Sequence, residues 1–223
     1  METSLHRTLK EQFGSGPGGR VEVAHRGYRI DAVDADGTLV EVQSGALGPL
    51  RGKLSRLLES PGTRVRVVKP VVLTRRVVRS SKGGVELSSR QSPKRGALVD
   101  VFDDLIGLAC VFPHTGLVVE VLGVAIDEVR VARRRRPGFA VVDRRLREVV
   151  ERASLVEAED LWSLLPDGLD GAFTTRGLAH ALGRPLAFAQ RVAYCLRLSG
   201  AVEAAGKTGN HHVYRRVAAG VTA

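Results

Sequence analysis

The sequence predicts a mixed α/β fold over its front and middle and a compact helix-helix-hairpin module at its back. Three features carry that reading. Residues 3–72 place apolar positions in the order helical stripe, three alternating runs, helical stripe, alternating run, an order that packs helices on a sheet. The glycine-rich stretch 14–19 and the turn at Asp34–Gly37 punctuate these runs. Phe173–Val217 then shows two helical stripes parted by Gly183-Arg184-Pro185 and followed by two short alternating segments.

Each element follows from local chemistry. Thr3 or Ser4 caps a first helix whose Leu5, Leu9 and Phe13 share one stripe, and the glycine-rich stretch 14–19 stops it. Val21–Val23, Tyr28–Val33 and Leu39–Gln43 alternate as strands, the last two joined by a turn at Asp34–Gly37. Pro49 sits just inside a second helix, Pro49–Glu59, which buries Leu50, Leu54, Leu57 and Leu58. Arg64–Val72 is the next strand. Residues 75–79 and 84–88 suit a hairpin, Ala97–Phe112 a helix, Leu117–Val131 a strand, Arg133–Pro137 a basic break, and Asp143–Ala153 a further helix.

Composition bounds the partners. With 223 residues, 43% of them hydrophobic, the chain can build one large core or several small ones. Its net charge of +10 is uneven: 18 basic and 9 acidic residues in 1–96, 9 and 13 in 97–169, 7 and 2 in 170–223. Both ends therefore attract polyanions, and DNA is the expected partner. Cys110 and Cys195 both lie in apolar stretches, which suits buried thiols in a reducing compartment rather than a disulfide framework. No stretch suits a signal peptide or a membrane span, so a cytoplasmic location is expected, and a homodimer is compatible with the chain.

The chemistry-bearing residues are on the second hairpin. Antiparallel pairing about Asp36 opposes Asp31 to Glu41, Arg29 to Gln43 and Val33 to Leu39. Opposed like charges repel, so the pair calls for a compensating cation. Mg²⁺ or Mn²⁺ on Asp31 and Glu41 would supply it, because such ions sit on one or two carboxylates plus substrate phosphate. The plainer alternative is a solvated hairpin face.

These residues resemble the PD-(D/E)XK nuclease superfamily, whose core runs α-β-β-β-α-β with metal-binding acids on its second and third strands. The match covers residues 3–72, through Asp31 and then Glu41-Val42-Gln43. The stretch Tyr28–Gln43 also resembles CoiA-like members that write Gln where the superfamily has Lys. Gln hydrogen-bonds water or phosphate and supplies no charge. The resemblance implies a restriction-endonuclease-like domain over 1–150, with 73–150 as an α/β extension, acting on DNA phosphodiester bonds. It implies catalytic roles for Asp31, Glu41 and Gln43, an extra acid at Glu22 or Glu11, and a substitute lysine at Lys53. Arg29 is a phosphate-binding candidate.

The carboxyl-terminal segment, 155–223, resembles a winged helix-turn-helix domain. In its second helix Phe188, Val192, Cys195 and Leu196 form the core stripe, which turns Gln190, Arg191, Tyr194 and Arg197 outward as DNA-reading candidates. The segments 201–205 and 211–217 are the wing strands, with Lys207 on a basic tip running from Gly206 to Asn210. Winged helices also dock proteins, so that alternative stands. Adjacent His211 and His212 should point to opposite faces. Asp100, Asp103 and Asp104 read as a solvated helix face, and Trp162 as a core anchor between modules. No Ser-His-Asp arrangement, phosphate loop or CxxC pair is present. Two functions follow: a metal-dependent nuclease with a winged-helix reader, or a non-catalytic DNA-binding regulator on a nuclease-like framework.

Overall fold

A computed structural model describes residues 2–169, 171–209 and 211–217. The chain forms two compact units: Met1–Ser44, Arg64–Leu98 and Glu120–Arg152 make the first; Gly45–Thr63, Val99–Val119 and Ala153–Ala223 make the second. Neither unit is one continuous stretch.

In the first unit, helix α1 (Ser4–Gly14) starts where Thr3 accepts the His6 N–H, as its position before the apolar stripe predicts. Strands β1 (Arg20–His25), β2 (Tyr28–Val33), β3 (Leu39–Val42) and β4 (Val65–Ser80) follow. The β2–β3 turn closes through Asp34 N–H to Thr38 and Gly37 N–H to Asp34, with Gly37 at φ 84°, a conformation only glycine adopts without strain. That turn fixes Ala32 opposite Val40 and Val33 opposite Leu39, the register the sequence predicts. β1–β2 and β2–β3 are antiparallel, whereas β3–β4 is parallel.

β4 continues past the expected strand and pairs antiparallel with β5 (Glu86–Gln91), Arg76 lying opposite Gln91. The hairpin is real, but its return strand begins two residues beyond the expected 84–88. β6 (Leu117–Ala132) and β7 (Phe139–Leu155) complete a seven-stranded sheet ordered β1-β2-β3-β4-β6-β7, with β5 also on β4. Leu5 and Leu9 of α1 pack on Ala32, Val40, Val42, Val68, Leu122, Val124 and Ile126, which together form the core.

The expected helix Asp143–Ala153 is instead part of β7. Leu146, Val149 and Val150 recur at helical spacing, and that misled the sequence reading. The long buried strand β6 needs backbone partners on both edges. β4 supplies one, and the turn at Gly138, closed by Arg133 N–H to Gly138 at 3.0 Å, returns the chain to supply the other.

The second unit begins with a 3₁₀ turn, Gly48–Leu50, that carries Pro49 into α2 (Arg51–Leu58), where Leu54, Leu57 and Leu58 are buried. The expected helix 97–112 is mostly turns. Only a 3₁₀ turn, Leu98–Val101, and the single-turn α3 (Phe102–Leu105) are helical. Gly107 lies against the backbone of Gly48, where a Cβ would meet nitrogen at 2.4 Å, so the chain turns at a close approach rather than continuing a helix.

A 3₁₀ segment, Ala158–Leu164, leads to β8 (Phe173–Thr174), α4 (Thr175–Leu182), α5 (Leu186–Ser199), β9 (Val202–Thr208) and β10 (His211–Arg216). Thr174 caps α4 by accepting the Gly177 N–H, and Gly183 and Gly200 end α4 and α5 in the left-handed region. The three strands order β8-β10-β9. Phe188, Val192, Cys195 and Leu196 are all buried, as their spacing predicts. Asn210, at the expected hairpin tip, lies outside the described residues.

Two smaller expectations change. Cys110 is exposed rather than buried. Trp162 packs inside the second unit, edge-on to Phe173 at 6.1 Å and beneath the Arg216 guanidinium at 4.7 Å. No helix among the described residues is long and apolar enough to cross a membrane.

Candidate functional site

Regular pairing of β2 with β3 covers only Ala32/Val40 and Val33/Leu39. At the next position the Asp31 side chain intervenes, its Oδ2 accepting the Val42 N–H at 2.9 Å. Its Oδ1 lies 3.4 Å from His6 Nε2 on α1. The β1–β2 ladder also skips a pair here: Glu22, at φ 55°, is absent from a register that matches Val21 with Ala32 and Val23 with Ile30. The Asp31 carboxylate thus lies between the Val42 N–H of β3 and His6 of α1.

The charges near Asp31 belong to a network. Lys10 of α1 reaches Glu2 at 2.6 Å and Glu22 at 2.8 Å, and Arg29 meets Glu22 at 2.5 Å. Burial opposes ionisation of Asp31, but the His6 contact, the Val42 N–H and the positive charges of His6 and Lys10 outweigh it and hold its carboxyl below the ordinary range. Hydrogen bonds from Lys10 and then Arg29, followed by their charges, depress Glu22 likewise. Burial also works against charge on Lys10, yet its bonds to Glu2 and Glu22 raise its pKa.

Glu41 is only 5% exposed, and its strand neighbours Val40 and Val42 both belong to the cluster beneath α1. Alternation along β3 sends the Glu41 side chain away from the cluster that Val40 and Val42 join, and the Asp31 carboxylate is taken up by the Val42 N–H and His6. Regular β2–β3 pairing is not recorded at Asp31 and Glu41, which the sequence sets opposite each other. Protein donors stabilise the charge on Asp31. Among the described residues no three His, Cys, Asp or Glu side chains group as a metal cage.

Sequence reasoning missed Lys69. The parallel register sets Val42 beside Val68, and Gln43 donates its N–H to the Val68 carbonyl, so Lys69 follows beside Gln43. Lys69 is 2% exposed, and its Nζ reaches the Ser44 carbonyl at 3.4 Å. A lysine inside the apolar run Val67-Val68-Lys69-Pro70-Val71 was the available signal. Lys53, the expected substitute, lies on α2 in the second unit, whereas Asp31, Glu41 and Gln43 lie in the first. His6 and Lys10, both missed, are the α1 residues that partner Asp31 and Glu22. Glu11, the alternative extra acid, is exposed on α1.

The second unit gathers a separate set. Gln190, Tyr194 and Arg197 of α5 share a concave surface of about 580 Å³ with His211, His212 and Tyr214 of β10. Tyr194 is 42% exposed, and the Arg197 guanidinium lies over its ring at 5.9 Å. Arg191, expected among the readers, instead pairs with Asp103 at 2.6 Å, while Arg184 pairs with Asp100 at 2.6 Å. The acids around α3 are thus partners of the α4–α5 region rather than a merely solvated face. Lys207 is exposed on β9, opposite His212. His211 and His212 both line the concavity, His211 opposite Thr208 and His212 opposite Lys207 in the β9–β10 ladder.

Comparison with known proteins adds a family. The family model described as "Domain of unknown function (DUF8091)" matches residues 3–156. A protein of Treponema pallidum (strain Nichols), titled "Uncharacterized protein", is 33% identical over 220 residues, which span 96% of this chain and 85% of that relative. No solved structure matches. Since the matched span takes in both the α1–β4 framework and most of the middle of the sequence, the chain belongs to the DUF8091 family.

Proposed function

We propose that the protein binds DNA through α5 and the β9–β10 hairpin, on a framework of nuclease-like descent. One observation carries this reading: three outward residues of α5 and three aromatic or imidazole residues of β10 line a single concavity. The element order β8-α4-α5-β9-β10 supports a winged helix, in which the second helix enters the major groove. Gln190 and Arg197 are the side-chain types that read adenine and guanine edges, and Tyr194 can bond phosphate. Arg191 is set aside from this surface by Asp103.

The test is fluorescence anisotropy with labelled duplex DNA. Gln190→Ala combined with Arg197→Ala should weaken binding about tenfold or more, the loss expected when base contacts worth 1–3 kcal/mol each are removed. Duplex binding unchanged in this double variant overturns the assignment.

Phosphodiester cleavage is the second reading, favoured by buried Lys69 beside Gln43 and by the order α1-β1-β2-β3-α2-β4 with β3 and β4 parallel. A Mn²⁺-supplemented cleavage assay decides it. Activity abolished by both Glu41→Gln and Lys69→Met supports the reading, and activity that survives both removes it.

A further inference from the structure

The first unit holds a charged groove that the α5 surface does not involve. Two hairpins, β4–β5 and β6–β7, enclose about 380 Å³, lined by the apolar Val77, Leu87 and Phe139 together with Arg79, Arg90 and Arg130. Val77 pairs with Arg90 and Arg79 with Ser88, so Arg79 and Arg90 are diagonal neighbours on one face of the β4–β5 ladder. Diagonal cross-strand neighbours are within reach of long side chains, and like charges set so close repel.

Neighbouring arginines on this sheet have acidic partners. Arg75 and Arg130 meet Glu128 at 3.2 and 2.5 Å, and Arg76 meets Asp127 at 2.7 Å. Arg79 and Arg90 are exposed and have no acidic partner among the described residues. The adjoining turn adds Arg133–Arg136, all exposed, and its Pro137 and Gly138 line the same groove. A surface built this way is complementary to an anion with repeated charges.

The apolar lining narrows the choice. Leu87 is 68% exposed and Val85, at the same hairpin end, 66%. The outside of a duplex presents phosphates but no flat apolar faces to such a lining. An unpaired strand presents both, since its bases can lie on apolar side chains while its phosphates meet arginine. We propose that this groove binds a single-stranded nucleic-acid segment, with phosphates on Arg79, Arg90 and the Arg133–Arg136 turn and bases against Leu87 and the stacked Arg130–Phe139 pair, whose guanidinium lies 4.0 Å from the ring centroid. The inference rests on the DNA-binding reading only in taking nucleic acid as the partner.

The experiment titrates the full chain with a labelled single strand of about 16 nucleotides, a length suited to such grooves, and separately with duplex, over a range of salt. Arg79→Ala with Arg90→Ala should weaken single-strand binding about tenfold and lower its log–log salt slope by about 1.4, two phosphate contacts at roughly 0.7 each. Leu87→Asp should weaken it as well, while duplex binding stays near the wild-type value. Arg79→Gln with Arg90→Gln repeats the test should the alanine pair melt at lower temperature. An unchanged affinity and slope overturns the proposal, as does polyglutamate competing as well as the single strand at equal charge. Gln190→Ala with Arg197→Ala affects duplex binding alone, so failure of the α5 reading and failure of the groove are separate results.

Discussion

Asp143 shows how a single carboxylate reaches across the sequence. From β7 it accepts the Ser4 N–H at 2.8 Å and the Ser4 hydroxyl at 2.7 Å, satisfying donors at the start of α1. Burial raises its pKa, but the bonds from Ser4, Arg145 and Arg144 outweigh that and hold it below the ordinary range. Asp143→Ala should destabilise the first unit by about 1–2 kcal/mol, the usual worth of a helix-start acceptor, as measured by urea unfolding. Because the folded pKa is depressed, the stabilisation is complete above the unfolded value near 3.9 and fades as pH falls through the folded one. The variant should therefore lose less stability than the parent between about pH 5 and pH 2; parallel acid curves for the two proteins would contradict this account.

Elements with a strong local period were legible in the sequence, and elements set by long-range pairing were not. β2 was predicted with its observed ends because Ile30, Ala32, Val40 and Val42 alternate across a turn that glycine closes. α5 was legible for the same kind of reason, since its buried stripe and left-handed Gly200 are both local. β7 was not, because its state depends on the unpaired edge of β6. The Asp31–Glu41 opposition followed from a regular β2–β3 ladder, and that ladder stops at Ala32 and Val40, where the Asp31 side chain takes the Val42 N–H, a contact that no local pattern announces. Lys69 was overlooked because only the β3–β4 register brings it beside Gln43.

The central strands are also joined by charge. Glu128 of β6, 2% exposed, faces Arg75 of β4, Arg130 of its own strand and Arg144 of β7 at 3.2, 2.5 and 3.7 Å. Removing one member of a buried ionic group leaves the others uncompensated. Glu128→Ala should cost about 3 kcal/mol, the lower end of the range because the arginines keep some solvent, and calorimetry should show a depressed Tm. An unaltered Tm would mean that the three strands hold together without this carboxylate.

At the scale of the whole molecule, sequence order and spatial grouping part company. The α4–α5 region shares its unit with Gly45–Thr63 and Val99–Val119, and it pairs with Asp100 and Asp103 through Arg184 and Arg191. An isolated fragment 153–223 lacks those partners. Its helices should exchange amide hydrogens faster than the same residues in the full chain; equal protection would show that the fragment folds alone.

The Ser4–Asp143 bond also has a consequence in time. Its two ends are 139 residues apart, and β6 and β7, which complete the cluster under α1, are likewise made late. At about 5–20 residues per second, a nascent chain waits roughly 7–28 s between emergence of Ser4 and of Asp143. During translation the leucine-bearing side of α1 is thus a sticky surface without its berth, and chaperones that bind exposed apolar helices would meet this protein before its own sheet does.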